Sequence, residues 1–337
     1  MRSTLLATIV TALLLALFLF FRLSEFDVPD AGGQQTLRIT HGSDSLAGTL
    51  ILPADVSSPP VAVLVHGDGA QDRWSDGGYL PLVNHLVSQG IAVFSWDKPG
   101  VGESTGNWLA QTMDDRAQEA AFVLQQLRQQ PALAHSRLGF VGFSQAGWVV
   151  PQASQLAQAD FAVLVGPAIN WRNQGAYYLR QRMQLAGQPA NEITRAVAND
   201  TAAFDAHYTQ ETTSRPCAAV CTRNDFERRN ALADARVAIG SMQTPVMVLM
   251  GQDDRNVDSK ETMGVWRAQL SLETPQCLRL IPAATHGLLN SRWYDYQLAS
   301  QWPAWKQGLF LLSGRKAYAA GALDMISGWI RNGACPD

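Results

Sequence analysis

Hydrophobic positions along this chain fall into three patterns, each predicting a different kind of element. The first is an unbroken run near the N-terminus. Residues 3–21 carry no charge, include LLLALFLFF, and are bracketed by Arg2 and Arg22. Nineteen residues in a helix span roughly 29 Å, close to the hydrocarbon thickness of a bilayer. A core helix would show a polar face, and this segment scarcely has one. The second pattern is the short apolar run of a fully buried strand. It recurs as VAVLVHG at 61–67, IAVFSWD at 91–97, LGFVGFS at 138–144, FAVLVGP at 161–167, PVMVLMG at 245–251 and CLRLIP at 277–282. The third is helical spacing, at 81–89, at 113–130 and at 317–330. In the longest of these, Ala117, Ala120, Ala121, Leu124 and Leu127 fall on one face.

Strands alternating with helices predict an α/β fold with a mostly parallel central sheet and helices on both faces. Short apolar segments at 36–39 and 48–52 flank HGSDS and read as an antiparallel hairpin before that alternation begins. One gap breaks the rhythm. Residues 168–243 hold no strand signal, only two helical patterns separated by Gly187 and Pro189. A crossover needs only about a dozen residues, so this stretch reads as an inserted helical cap. The chain then divides into an N-terminal helix (1–22), a polar tether (23–34), a core in two parts (35–167 and 244–337) and the cap between them. The length suits one large domain with an insertion, or two average domains.

The N-terminal run is expected to be retained as an anchor. No A-x-A pattern follows it, as a signal peptidase site would require, and no cysteine follows to accept lipid. Arg2 and the amine precede the run, and Glu25, Asp27 and Asp30 follow it. The positive-inside rule then exports the remainder to the periplasmic or extracellular side. Net charge is −3, which excludes broad attraction to nucleic acid. Four cysteines, Cys217, Cys221, Cys277 and Cys335, suit an oxidising compartment but equally suit buried thiols. Three pairings are open. Nearness in the chain favours Cys217 with Cys221, which leaves Cys277 with Cys335. CAAVC is not a zinc spacing, and no metal or organic cofactor is expected.

The chemistry centres on Gly142-Phe143-Ser144-Gln145-Ala146-Gly147, at a strand-to-helix junction. A nucleophile on that sharp turn stands proud of the sheet, where a helix N-terminus stabilises negative charge. The turn demands small neighbours. Gly142 meets this, and Ala146 departs from the usual glycine by one methyl. A nucleophile of this kind takes its partners in the order Ser, acid, His. After Ser144, the strand at 245–251 ends in Gln252, Asp253 and Asp254, and the strand at 277–282 is followed by His286. Of six histidines, only His286 occupies the required place. The loop after the first buried strand should give one oxyanion-hole N–H, from Asp68 or Gly69, and Gln145 the other. His66 is expected to hold that loop rather than to move protons.

With HGDGAQDR at 66–73, DKPGVGES at 97–104, GFSQAG at 142–147, GQDD at 251–254 and THG at 285–287, the chain resembles the α/β-hydrolase superfamily. It is most similar to its serine aminopeptidase-like and dienelactone hydrolase-like esterase branch. The resemblance covers about residues 36–332, without the cap. It implies the α/β-hydrolase fold, hydrolysis of an ester, amide or thioester of a small acyl substrate, and a Ser144–Asp254–His286 triad. Asp254 is preferred to Asp253 because the family places its acid three residues after the glycine. Two departures stand out. Asp68 sits where the family often has serine, which requires its carboxylate to turn away or pair with Arg73. Pro99 and Glu103 replace basic residues of the family's turn. Acyl transfer to another acceptor and peptide hydrolysis use the same triad. A further alternative is an exported binding protein that has lost activity. Trp171, Tyr177, Tyr178, Phe204 and Tyr208 either line the substrate pocket or pack the cap onto the body.

Overall fold

The computed structural model describes residues 2–335; at positions 2–8, 12, 15 and 16 it describes the backbone alone. Eight strands form one sheet: β1 (Gln34–His41), β2 (Asp44–Ile51), β3 (Val61–Val65), β4 (Ala92–Trp96), β5 (Leu138–Phe143), β6 (Ala162–Val165), β7 (Val246–Gly251) and β8 (Gln276–Ile281). Their spatial order is β1-β2-β4-β3-β5-β6-β7-β8. The β1–β2 hairpin and the β2–β4 pair are antiparallel, and all other pairs are parallel. The helices are α1 (Arg2–Leu23), α2 (Leu80–Ser88), α3 (Met113–Arg128), α4 (Val150–Ala157), α5 (Trp171–Leu185), α6 (Ala190–His207), α7 (Gln210–Thr213), α8 (Arg223–Asn230), α9 (Arg236–Gly240), α10 (Ser259–Gln269), α11 (Ser291–Tyr294), α12 (Ala304–Ser313) and α13 (Ala322–Asn332).

The central strands are buried from end to end, which is why they read as unbroken apolar runs rather than alternating ones. Their two faces feed two cores. One packs beneath α3, α4, α9 and α10, around Phe140, Met250 and Trp266. The other packs beneath α2 and α13, around Leu86, Phe161 and Trp329. α3 opens on a reciprocal capping box between Thr112 and Asp115, which satisfies donors that the first turn leaves orphaned.

Two expectations are revised, and two helices are added. The last helix begins at Ala322, because residues 314–317 form a separate 3-10 turn. Residues 288–313 hold α11 and α12, whose short length and weak periodicity gave no helical signal. The segment expected to be a loose tether is fastened down. Glu25 is buried, pairs with Arg22 and accepts from the Arg315 N–H at 2.6 Å, and the Gly32 N–H donates to the Leu52 carbonyl at 3.0 Å.

α1 is a 22-residue helix. Among the described residues no helix is long and apolar enough to cross a membrane; the expected anchor falls partly outside them. Both cysteine pairs are joined as disulfides, Cys217–Cys221 and Cys277–Cys335.

Candidate active site

Ser144 lies at the C-terminal end of β5, where a helical turn begins. Its φ is +52°, a left-handed value that a serine adopts only when its surroundings impose it. The turn fits because Gly142 lacks a side chain: a Cβ there would lie 2.7 Å from Val150 Cγ2 and 2.8 Å from Ala146 Cβ. Ala146, whose methyl borders that space, is itself fully buried.

Asp254 and His286 follow β7 and β8, at the same edge of the sheet. The His286 Nδ1–H donates to Asp254 Oδ2 at 2.8 Å. The other Asp254 oxygen accepts from the backbone N–H groups of Asn256 at 2.7 Å and Val257 at 2.9 Å. The carboxylate is therefore buried with partners for both oxygens, and it fixes the tautomer that leaves Nε2 free as an acceptor. Burial opposes charge on the imidazole, but the charge of Asp254 and its hydrogen bond outweigh this and raise the His286 pKa above 6.5. Gly166, at φ +56°, gives the ring its room: a Cβ there would sit 2.8 Å from Nδ1. Asp253 points elsewhere and accepts from the Ser291 hydroxyl at 2.6 Å. Asp258 caps α10.

Asp68, Ser144 and Gln145 line one cavity of about 400 Å³. Gln145 is the second residue of a helical turn, whose first N–H groups have no partner within it. Asp68 does not pair with Arg73, which instead binds Asp97. Arg223, from the start of α8, reaches across and donates to both Asp68 oxygens, at 2.9 and 2.8 Å, and the Gln145 side-chain amide donates to Oδ1 at 3.0 Å. Burial alone would raise the Asp68 pKa, but the bonds and charge of Arg223 hold it below the ordinary carboxyl value. The acid in the expected oxyanion loop is thus turned toward α8.

Two buried cations beneath this loop escaped the sequence reading. Lys98 Nζ donates to the carbonyls of Gly67 at 2.6 Å and Gly69 at 2.8 Å. Arg116, on the inner face of α3, donates to the His66 carbonyl at 2.7 Å and to the Gln145 side chain. These bonds hold the loop carbonyls inward, toward the buried cations. Burial, followed by mutual repulsion, pushes the Lys98 pKa well below its ordinary value. A charged residue on the alanine face of 113–130 was the available signal for Arg116; nothing near Arg223 marked it. His66 is buried and bonds the Trp96 carbonyl at 2.5 Å, holding the loop. Of the cap aromatics, Trp171 and Tyr178 line the Ser144 cavity. The Tyr177 hydroxyl donates to the Asp254 carbonyl at 2.7 Å, while Phe204 packs against Tyr208.

The family model Hydrolase_4, described as serine aminopeptidase, S33, matches residues 59–292. The chain belongs to that family. This S33 hydrolase matches no curated protein sequence. Its fold is shared with solved structures of low identity. The Est1E structure from Butyrivibrio proteoclasticus, with ferulic acid bound, aligns at TM-score 0.54 and 13% identity over 88% of this chain and 96% of that one. The Pyrococcus furiosus esterase Pf2001 aligns at 0.54 and 18%, covering 87% and 92%. A Pyrobaculum calidifontis esterase aligns at 0.56 and 15%, covering 94% and 91%.

Proposed function

We propose that this S33 hydrolase cleaves carboxylic esters by acyl transfer to Ser144, with His286 as general base and Asp254 as its orienting acid. The carrying observation is the buried Asp254–His286 pair, at the same C-terminal end of the parallel strands as a serine held at positive φ. In the first step His286 Nε2 takes the hydroxyl proton as Ser144 Oγ bonds to the carbonyl carbon. The oxyanion is held by the backbone N–H groups of Asp68 and Gln145. The C–O bond of the ester then breaks, and the leaving oxygen takes the proton from Nε2. Water repeats the sequence through the same base and releases the acid.

Ester rather than peptide is favoured by the charges in the Ser144 cavity. An aminopeptidase must hold its substrate's ammonium group. The two carboxylates lining the cavity, Asp68 and Glu227, both already bind Arg223. The similar folds of known esterases agree with this. We further propose that α1 anchors the enzyme in a membrane, with the catalytic domain on the exported side, where both disulfides are stable. Ser144→Ala should abolish fluorophosphonate labelling and lower turnover of p-nitrophenyl acetate by several orders of magnitude, with an unchanged circular dichroism spectrum. Turnover near the wild-type level would overturn the assignment.

A further inference from the structure

A second cavity, of about 630 Å³, opens on the His286 side of the site. This lies within the roughly 300–1,000 Å³ of small-molecule sites, and His286 forms part of its wall. Its wall is largely hydrocarbon. Phe143, beside the nucleophile, and Tyr79 form the inner end. At the outer end, Trp302 packs 4.8 Å from Tyr294 and 5.5 Å from Phe310, and Phe310 packs 5.3 Å from Phe26.

The outer wall belongs to the segment between His286 and α13. Its helix, α12, reads AWKQGLFLLS and has no buried residue. Trp305 is 60% exposed, Leu311 42% and Leu312 40%. Large apolar side chains left exposed together on one helix mark a contact with something other than water. The attachment of α1 indicates what that is. Arg22 donates to the carbonyls of Leu312, at 2.5 Å, and Ser313. Glu25 pairs with Arg22 and accepts from Arg315. The ends of α1 and α12 are therefore clamped together. α1 exposes Leu13, Leu14, Leu17, Phe18 and Phe20, and it packs against α12. Lys306 lies 4.6 Å from the Tyr296 ring centre and 5.3 Å from that of Trp305. A lysine among tryptophan and tyrosine at the edge of an apolar helix matches the chemistry of a bilayer interface.

We infer that the His286-side cavity receives the hydrocarbon chain of a membrane lipid ester, and that α12 lies in the bilayer interface where that chain leaves the membrane. The inference rests on the ester-hydrolase reading and on the anchor. It is tested with the full-length protein. In the first arm the protein carries Ser144→Ala and sits in phosphatidylcholine nanodiscs, with dansyl-undecanoic acid as probe and empty nanodiscs as reference. Saturable binding is expected. Leu82→Phe, from the buried wall, and Gln307→Trp, from the rim, should each weaken it at least tenfold. In the second arm, kcat/KM of the wild type on p-nitrophenyl esters should rise by about fourfold per added methylene until the cavity fills. Both narrowing variants should flatten that rise. In the third arm, Trp305→Glu combined with Leu312→Glu, both outside the cavity wall, should cut turnover of a diacylglycerol in vesicles at least tenfold and leave dissolved butyrate ester unchanged. Absence of saturable binding, or binding and chain-length profiles that neither narrowing variant alters, overturns the cavity assignment. Equal effects on vesicle and dissolved substrates overturn the membrane source. Probe binding that obeys the narrowing variants in a protein without ester turnover would uphold the cavity and sink the hydrolase reading instead.

Discussion

His286 must be neutral to accept the Ser144 proton, and its pKa lies above 6.5 because Asp254 stabilises the charged ring more than burial disfavours it. The active form is therefore lost as pH falls through that raised value, and kcat/KM should decline on the acid side with one inflection above 6.5. In Asp254→Asn the raising charge is gone while burial remains, so the inflection should move down. The wrong tautomer would also be favoured, and kcat should drop by roughly 10³–10⁴-fold. An unmoved inflection would show that another group sets the profile. His66 carries the opposite shift. Burial, then the Lys98 charge, lowers its pKa to about 3, against an unfolded value near 6.5. Between those values the unfolded chain holds the extra proton. This residue should accordingly remove stability as pH falls, by up to about 1.4 kcal/mol per unit. Urea midpoints for wild type and His66→Asn, taken from pH 7 to 4, should converge toward acid; parallel curves would mean that His66 is not held neutral.

Helix α8 and the oxyanion loop meet through Arg223 and Asp68, an element-level contact with a catalytic consequence. If Arg223 is what keeps the Asp68 carboxylate off the developing oxyanion, Arg223→Ala should lower kcat about tenfold, an effect smaller than removing an oxyanion donor outright. Asp68→Asn in that background should restore most of the loss, since the offending charge is gone. Failure of the second change to rescue the first would reduce Arg223 to a cap contact. The contact was not legible in the sequence, because α8 meets the loop after β3 across 155 residues with no periodic signal relating the two. The strands were legible, since burial on both faces leaves an apolar run that polar turns punctuate. The places of Ser144, Asp254 and His286 were legible for a related reason: each follows a strand end that the runs define. α12 was not, because a helix that buries nothing shows no inward stripe. The Cys277–Cys335 bond, by contrast, joins β8 to the segment after α13 across 58 residues. On chain-entropy grounds its loss should cost about 4 kcal/mol. Cys335→Ser should lower the urea midpoint accordingly with little change in kcat.

At the scale of the whole molecule, the decisive feature is how the proposed anchor joins the catalytic domain. A loose tether would let the domain drift from the bilayer by tens of ångströms. Here Arg22 and Glu25 bind the turn at 312–315 directly, and Gly32 is fastened to Leu52. The domain should therefore ride close to the membrane in one orientation, with α12 beside it. Loosening the clamp with Arg22→Ala and Glu25→Ala should leave turnover of dissolved short esters intact, because neither residue approaches Ser144. It should also expose residues 23–33 to protease. The orientation itself is tested by adding protease to intact cells or spheroplasts. Digestion of the catalytic domain, with the N-terminus still at Met1 or Arg2, is the expected result. Protection until lysis would reject the exported orientation, and a soluble product beginning near residue 25 would reject the anchor. With the clamp intact the linker should resist cutting while loops on the far side of the domain are cleaved; equal cutting in wild type and clamp variant would show that the junction is loose.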